Sequence, residues 1–63
     1  METIYTLTDS ETGDRLGAVF FDDGWDAYGW KTNGFTNGPY DTKHAALADL
    51  KAEFSGVSFR VTP

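Results

Sequence analysis

Two glycine-containing dipeptides, Asp23-Gly24 and Asn33-Gly34, constrain this chain more than any other feature. A two-residue link between antiparallel strands favours a type I′ turn, in which both central residues take positive φ, and Asp-Gly and Asn-Gly accept that conformation most readily. The segments on either side are rich in β-branched and aromatic residues, so the N-terminal part of the chain reads as an antiparallel meander. Thr3 to Thr8 (TIYTLT) is the first strand and ends at the turn formers Asp9, Ser10 and Gly13. Arg15 to Phe21 (RLGAVFF) is the second, and its nearly unbroken apolar run predicts burial on both faces. Trp25 to Lys31 (WDAYGWK) is the third, with a short fourth expected around Phe35-Thr36. Asn37-Gly38-Pro39 is expected to close the sheet there, because proline cannot donate to a strand ladder.

The hydrophobic period then changes. Thr42 is a helix N-cap type and precedes KHAALADLKAEF, a run of good helix formers. Ala46, Leu47, Leu50 and Phe54 recur at helical spacing and form one apolar stripe. Gly56 suits the left-handed position just past the helix end. Val57 to Thr62 alternates, with Val57, Phe59 and Val61 on one side and Ser58, Arg60 and Thr62 on the other, which predicts a last strand. The fold class expected is α+β, an antiparallel sheet of three to five strands with one helix packed on one face, in the order β-β-β-(β)-α-β.

Sixty-three residues starting at Met1 read as a single domain over residues 1–63. A domain of this size buries only about 60% of the surface its unfolded chain exposes, so its stability is marginal. The chain has no cysteine, which excludes disulfides and thiolate zinc sites, and its one histidine makes a nitrogen-rich metal site implausible. No apolar run approaches the length of a membrane span and no charged-then-apolar leader opens the chain, so a cytoplasmic protein without a membrane partner is expected.

The net charge of −5 has an address. Asp9, Glu11, Asp14, Asp22, Asp23 and Asp26 face Arg15 alone, whereas the acids elsewhere (Glu2, Asp41, Asp49, Glu53) are balanced by Lys31, Lys43, Lys51 and Arg60. Two readings stand side by side. Carboxylates favour turns for backbone reasons and keep a small protein dissolved. Alternatively, they form a negative surface aimed at a basic partner. An acidic balance of this kind disfavours direct binding of nucleic acid.

Ten aromatic residues are more than one helix can cover. Tyr28 and Trp30 are expected on the sheet face away from the helix, with Trp25 and Ala27 on the other side. Three outcomes remain open for that face: the Asn33–Tyr40 segment folds back over it, a second copy pairs with it as a homodimer, or a heterologous partner covers it.

Catalytic chemistry is sparse, and no enzyme, cofactor or metal is expected. His44 falls in the first helical turn, where a solvated surface role is the ordinary one. No nucleophile-elbow serine or phosphate-cradling glycine loop is present. The run from Asp9 to Asp14 lacks the glycine placement and terminal glutamate of an EF-hand loop.

Two resemblances add to this reading. Gly38-Pro39-Tyr40-Asp41-Thr42-Lys43-His44-Ala45-Ala46-Leu47 resembles the strand-end-to-helix segment of small sheet-plus-helix domains, including the arm-binding domains of phage-type integrases. Those domains carry Lys and Arg on the sheet, whereas Arg15, Lys31 and Arg60 stand here amid six acids, so the resemblance supports the fold and argues against the activity. As a type, a short, cysteine-free, acidic and aromatic-rich chain resembles the small inhibitors that phages direct against host defence, the anti-CRISPR proteins above all. That resemblance implies a non-enzymatic inhibitor whose carboxylates stand in for phosphates on a basic, nucleic-acid-handling host complex, in the host cytoplasm. The partner-binding candidates are Asp9, Glu11, Asp14, Asp22, Asp23, Trp25, Asp26, Tyr28 and Trp30, with the two acidic turns roughly 20 Å apart along the second strand. The alternative is a small structural or adaptor domain that pairs through its open sheet face.

Overall fold

The computed structural model describes residues 1–63 as an α+β fold with five strands and one helix: β1 (Glu2–Asp9), β2 (Arg15–Asp22), β3 (Ala27–Thr32), β4 (Phe35–Tyr40), α1 (Lys43–Glu53) and β5 (Phe59–Thr62). All strand pairs are antiparallel, and the sheet order is β4-β3-β2-β1-β5. The first four strands form the expected meander. The helix then carries the chain across one face, so that β5 pairs with β1 at the far edge.

The helix begins where local chemistry starts it. Thr42 holds an extended conformation (φ −130°, ψ 154°), and its Oγ1 accepts from the Ala45 amide at 3.1 Å. One of the four amides that a helix leaves free at its start is thereby satisfied. Ala46 and Leu50 are fully buried against Leu7, Val19 and Trp30, and Leu47 and Phe54 pack around that core. The stripe read from helical spacing is therefore the packed face. Gly56 takes φ +94°, as expected beyond the helix end.

Four local expectations are corrected. The Asp23-Gly24 dipeptide does not make a two-residue hairpin. Asp22 pairs with Ala27, which leaves a four-residue loop, and the positive φ falls on Asp26 (53°). At Asn33-Gly34 the two-residue link is present, with Thr32 paired to Phe35, but only Gly34 takes a positive φ (85°). The fourth strand does not stop at Thr36. It runs to Tyr40 through a cis Gly38-Pro39 bond, and Gly38 and Pro39 stand opposite Gly29 where the register shifts between Tyr28 and Trp30. An edge strand tolerates a proline because its outer side has no ladder to feed. Finally, β5 begins at Phe59, since Asp9 is the last β1 residue to pair (with Phe59) and Val57 is left 40% exposed.

The two sheet faces differ from expectation as well. Val19 pairs with Trp30 and Phe21 with Tyr28, and this is the face beneath the helix. Tyr28 and Trp30 therefore do not lie on an open face. Alternation puts Ala18 and Phe20 on the other side, yet both are buried, at 0% and 1% exposure, without a helix above them. The Asn33–Tyr40 segment does not fold back to cover them, because it forms the edge strand β4. The cover comes from the β2–β3 loop: the Trp25 ring packs on Phe20 with centroids 5.8 Å apart, and the Lys31 ammonium sits 6.0 Å from the Phe20 centroid.

One polar network ties the layers together. Trp30 Nε1 donates to Tyr40 Oη (3.0 Å) and to Asp49 Oδ2 (3.3 Å), and the Tyr40 hydroxyl donates to the same Asp49 oxygen. Strands β3 and β4 are thus fastened to the helix through one carboxylate. Burial, reinforced by the hydrogen bond to Asp49, pushes the Tyr40 phenol above the usual tyrosine range.

Candidate functional site

The acidic residues fall into two turns at opposite ends of β2, about 23 Å apart at ~3.3 Å per residue. In the β1–β2 turn the carboxylates mostly serve the backbone. Asp9 Oδ1 accepts from the amides of Glu11 (2.8 Å) and Thr12 (3.1 Å), while Asp14 Oδ2 accepts from Thr12 Oγ1 (3.1 Å). Backbone bonds from Gly13 to Asp9 and from Asp9 to Asp14, both 2.8 Å, close the loop. This is aspartate acting as a turn former, and it leaves Glu11 as the free charge.

The β2–β3 loop is built differently. Asp22 Oδ1 accepts from the amides of Gly24 (2.7 Å) and Trp25 (3.2 Å), so this carboxylate shapes the loop. Asp26 closes it in the left-handed region, which aspartate tolerates better than most residues. The loop's own hydrogen bonds use Asp22, and Asp23 and Asp26 stand exposed on either side of Trp25. Trp25 is 42% exposed.

The platform beneath that indole is made of glycine. A Cβ on Gly29 would lie 2.8 Å from Trp25 Cζ3 and 2.7 Å from Phe20 Cζ. A Cβ on Gly38 would lie 2.7 Å from the same Trp25 atom. All three distances are shorter than real Cβ contacts, so the absent side chains are what leave room for the Cζ3 edge of the indole against β3 and the irregular part of β4. Trp25 is thus held on one side by Phe20 and the two glycines, with its other side facing solvent. A half-exposed aromatic ring already packed on one side loses less entropy than a free one when a partner covers it.

The nine candidate residues separate on this geometry. Asp22, Asp23, Trp25 and Asp26 share one loop, with Asp22 structural and the others presented outward. Asp9, Glu11 and Asp14 lie at the far end of β2 and form no surface with them. Trp30 is 1% exposed and belongs to the core, and Tyr28 is half-buried edge-on against Phe21, with centroids 5.2 Å apart. Neither offers the contact surface expected of it. Gly29 and Gly38 escaped the reading by composition, although two glycines in strands facing a tryptophan-bearing turn are the available signal. Phe35 also escaped it: it is 58% exposed, beside Trp30 at 5.8 Å between centroids.

No three His, Asp or Glu side chains converge on a point that would hold a metal ion. No helix is long and apolar enough to cross a membrane. No family model, curated protein or solved structure matches the chain.

Proposed function

We propose that this chain is a non-enzymatic binding protein that docks on a basic protein surface through the β2–β3 loop. Trp25 is the desolvated anchor, and Asp23 and Asp26 are the charges that steer and align it. The observation that carries this reading is the mounting of Trp25, half-exposed on a glycine platform between two carboxylates that the fold does not use. A tryptophan left 42% exposed keeps apolar surface in water that a partner can cover. The partner class we infer is a host nucleic-acid-handling complex, as the resemblance to phage-type inhibitors implies, with the carboxylates meeting Lys and Arg placed there for phosphate.

The test is capture from a host lysate by the immobilised protein, in parallel with Trp25→Ala and with an Asp23→Lys, Asp26→Asn double variant. Asparagine is chosen at position 26 because it keeps the left-handed conformation while removing the charge. A specific basic protein retained by the wild type, released by salt and lost from both variants supports the reading. Equal retention by all three proteins refutes it.

A second reading, an adaptor that pairs by strand addition, is favoured by one observation. β5 pairs only with Thr6–Asp9, so the outer side of Glu2–Tyr5 in β1 has no neighbouring strand. Sedimentation equilibrium separates the two, since a tight homodimer supports the adaptor and a monomer removes it.

A further inference from the structure

The tripeptide Thr-Asn-Gly occurs twice, as Thr32-Asn33-Gly34 and Thr36-Asn37-Gly38, and the fold treats the two copies differently. Asparagine followed by glycine is the pair most open to imide formation. The glycine amide nitrogen can reach the side-chain carbonyl carbon with no side chain of its own in the way. Attack requires that nitrogen to lie against the carboxamide, so the folded conformation decides which pair reacts.

At Asn37 the contact is already made. The Gly38 amide nitrogen lies 3.0 Å from Asn37 Oδ1, to which it donates, and Cγ is the atom bonded to that oxygen. Both residues are exposed, so water and hydroxide reach them. Gly38 takes φ 150°, a conformation that favours glycine. A Cβ there would lie 2.7 Å from Trp25 Cζ3, so the seat of the indole keeps position 38 a glycine and the attacking amide unhindered. Asn33-Gly34 instead forms the two-residue link between β3 and β4, with Gly34 at φ 85°. Its glycine amide makes no bond to the asparagine side chain like the one at Asn37.

We infer that Asn37 is a site of spontaneous deamidation, selected over Asn33 by the fold, and that its isoaspartate product loosens the seat of Trp25. In the first step water or hydroxide takes the Gly38 amide proton, the nitrogen bonds to Asn37 Cγ, and Nδ2 leaves as ammonia after gaining a proton. In the second, water opens the cyclic imide. Attack at Cγ breaks the new bond and gives aspartate. Attack at the Asn37 main-chain carbonyl breaks the original peptide bond and gives isoaspartate, whose main chain runs through Cγ and is one carbon longer. Water is the only co-reactant, and no electrons are transferred. The strands are too close here to absorb that carbon: a Cβ on Gly29 would lie 2.8 Å from Asn37 O, and one on Gly38 3.2 Å from Gly29 Cα. Gly38 therefore shifts relative to Gly29, and the two glycines no longer meet the same edge of Trp25. This chemistry goes beyond the docking function proposed above and does not depend on it.

The test is to incubate the full chain at neutral and mildly alkaline pH, both folded and in urea, and to map the tryptic peptide Thr32–Lys43, which carries both asparagines. Electron-transfer fragmentation assigns the gain in mass to a residue and separates isoaspartate from aspartate. In the folded protein Asn37 should convert about tenfold or more faster than Asn33, with isoaspartate the major product. In urea that preference should vanish, because the two tripeptides are identical. The urea arm needs no substitution, so it stands even if a variant fails to fold. Asn33→Gln should leave the folded reaction unchanged, and Asn37→Gln should remove it. The isoaspartate form, purified by ion exchange, should show Trp25 more accessible to acrylamide, Trp30 being buried and shielded. Three outcomes overturn the inference: folded Asn37 converting no faster than Asn33, aspartate formed without isoaspartate, or unchanged quenching in the purified isoaspartate form.

Discussion

Replacing Gly29 by alanine tests the mounting of Trp25 from underneath. The new Cβ would lie 2.7 Å from Phe20 Cζ, 2.8 Å from the backbone oxygen of Asn37 and 2.8 Å from Trp25 Cζ3. Phe20 is fully buried and Asn37 O belongs to the strand, so neither yields freely, whereas Trp25 is on a loop and can lift. Overpacking of this kind costs about 1–3 kcal/mol. Removing glycine from a strand returns roughly 0.5–1 kcal/mol of chain entropy. The net expectation is a loss of up to about 2.5 kcal/mol, which for a domain this small lowers Tm by up to roughly 20 °C. Thermal unfolding followed by circular dichroism reads the stability. Acrylamide quenching in a Trp30→Phe background isolates Trp25, which should become more accessible. In a Trp25→Ala background one of the three clashes is gone, so the cost of the same substitution should shrink. An unchanged Tm together with unchanged quenching would refute the glycine platform, because the contacts that define it would then be absent.

Other consequences follow from the polar network and the turns. Asp49→Ala removes the acceptor shared by Trp30 Nε1 and the Tyr40 hydroxyl and should cost about 1–3 kcal/mol in a urea melt. The raised Tyr40 pKa sets a sign for alkaline behaviour: a phenol whose folded pKa lies above its unfolded value contributes stability that is fully present below the unfolded pKa, about 10, and lost as pH rises through the folded one. Wild-type Tm should therefore fall in that alkaline window, and Tyr40→Phe should flatten that part of the profile while leaving neutral pH free of the ionisation effect. Asp22→Ala unties the Gly24 and Trp25 amides and should cost about 1 kcal/mol, with Trp25 fluorescence shifting as the loop loosens; a rigid, unshifted Trp25 would show that the carboxylate does not hold the loop.

Most of the architecture is legible in the residue order because its signals are local. β-branched runs, the Thr42 cap and the Ala46-Leu47-Leu50-Phe54 stripe each act over a few residues, and each reappears in the structure. What is not legible depends on choices made across the sheet. RLGAVFF is apolar on both sides, so a period of two cannot say which face receives the helix, and Tyr28 and Trp30 are assigned to the wrong one. The reading of Asp23-Gly24 as a tight hairpin fails because Asp22 offers a competing acceptor that widens the loop and moves the left-handed residue to Asp26. Pro39 marks the end of a strand only where both sides are paired, and β4 is an edge. The acidic excess is located correctly, yet its meaning divides by hydrogen bonding: Asp9, Asp14 and Asp22 are engaged in turn geometry, while Asp23 and Asp26 remain outward.

The central claim, that the Trp25 loop and not the acidic charge in general is the contact surface, is tested most directly by moving the same charge change between the two turns. The affinity of the captured basic partner should be measured for Asp23→Lys with Asp26→Asn, and for Glu11→Lys with Asp14→Asn. The account predicts that the first pair weakens binding about tenfold or more while the second leaves it within about twofold. Equal weakening by both pairs would mean that net charge alone drives association, and would contradict the assignment of the site to the loop around Trp25.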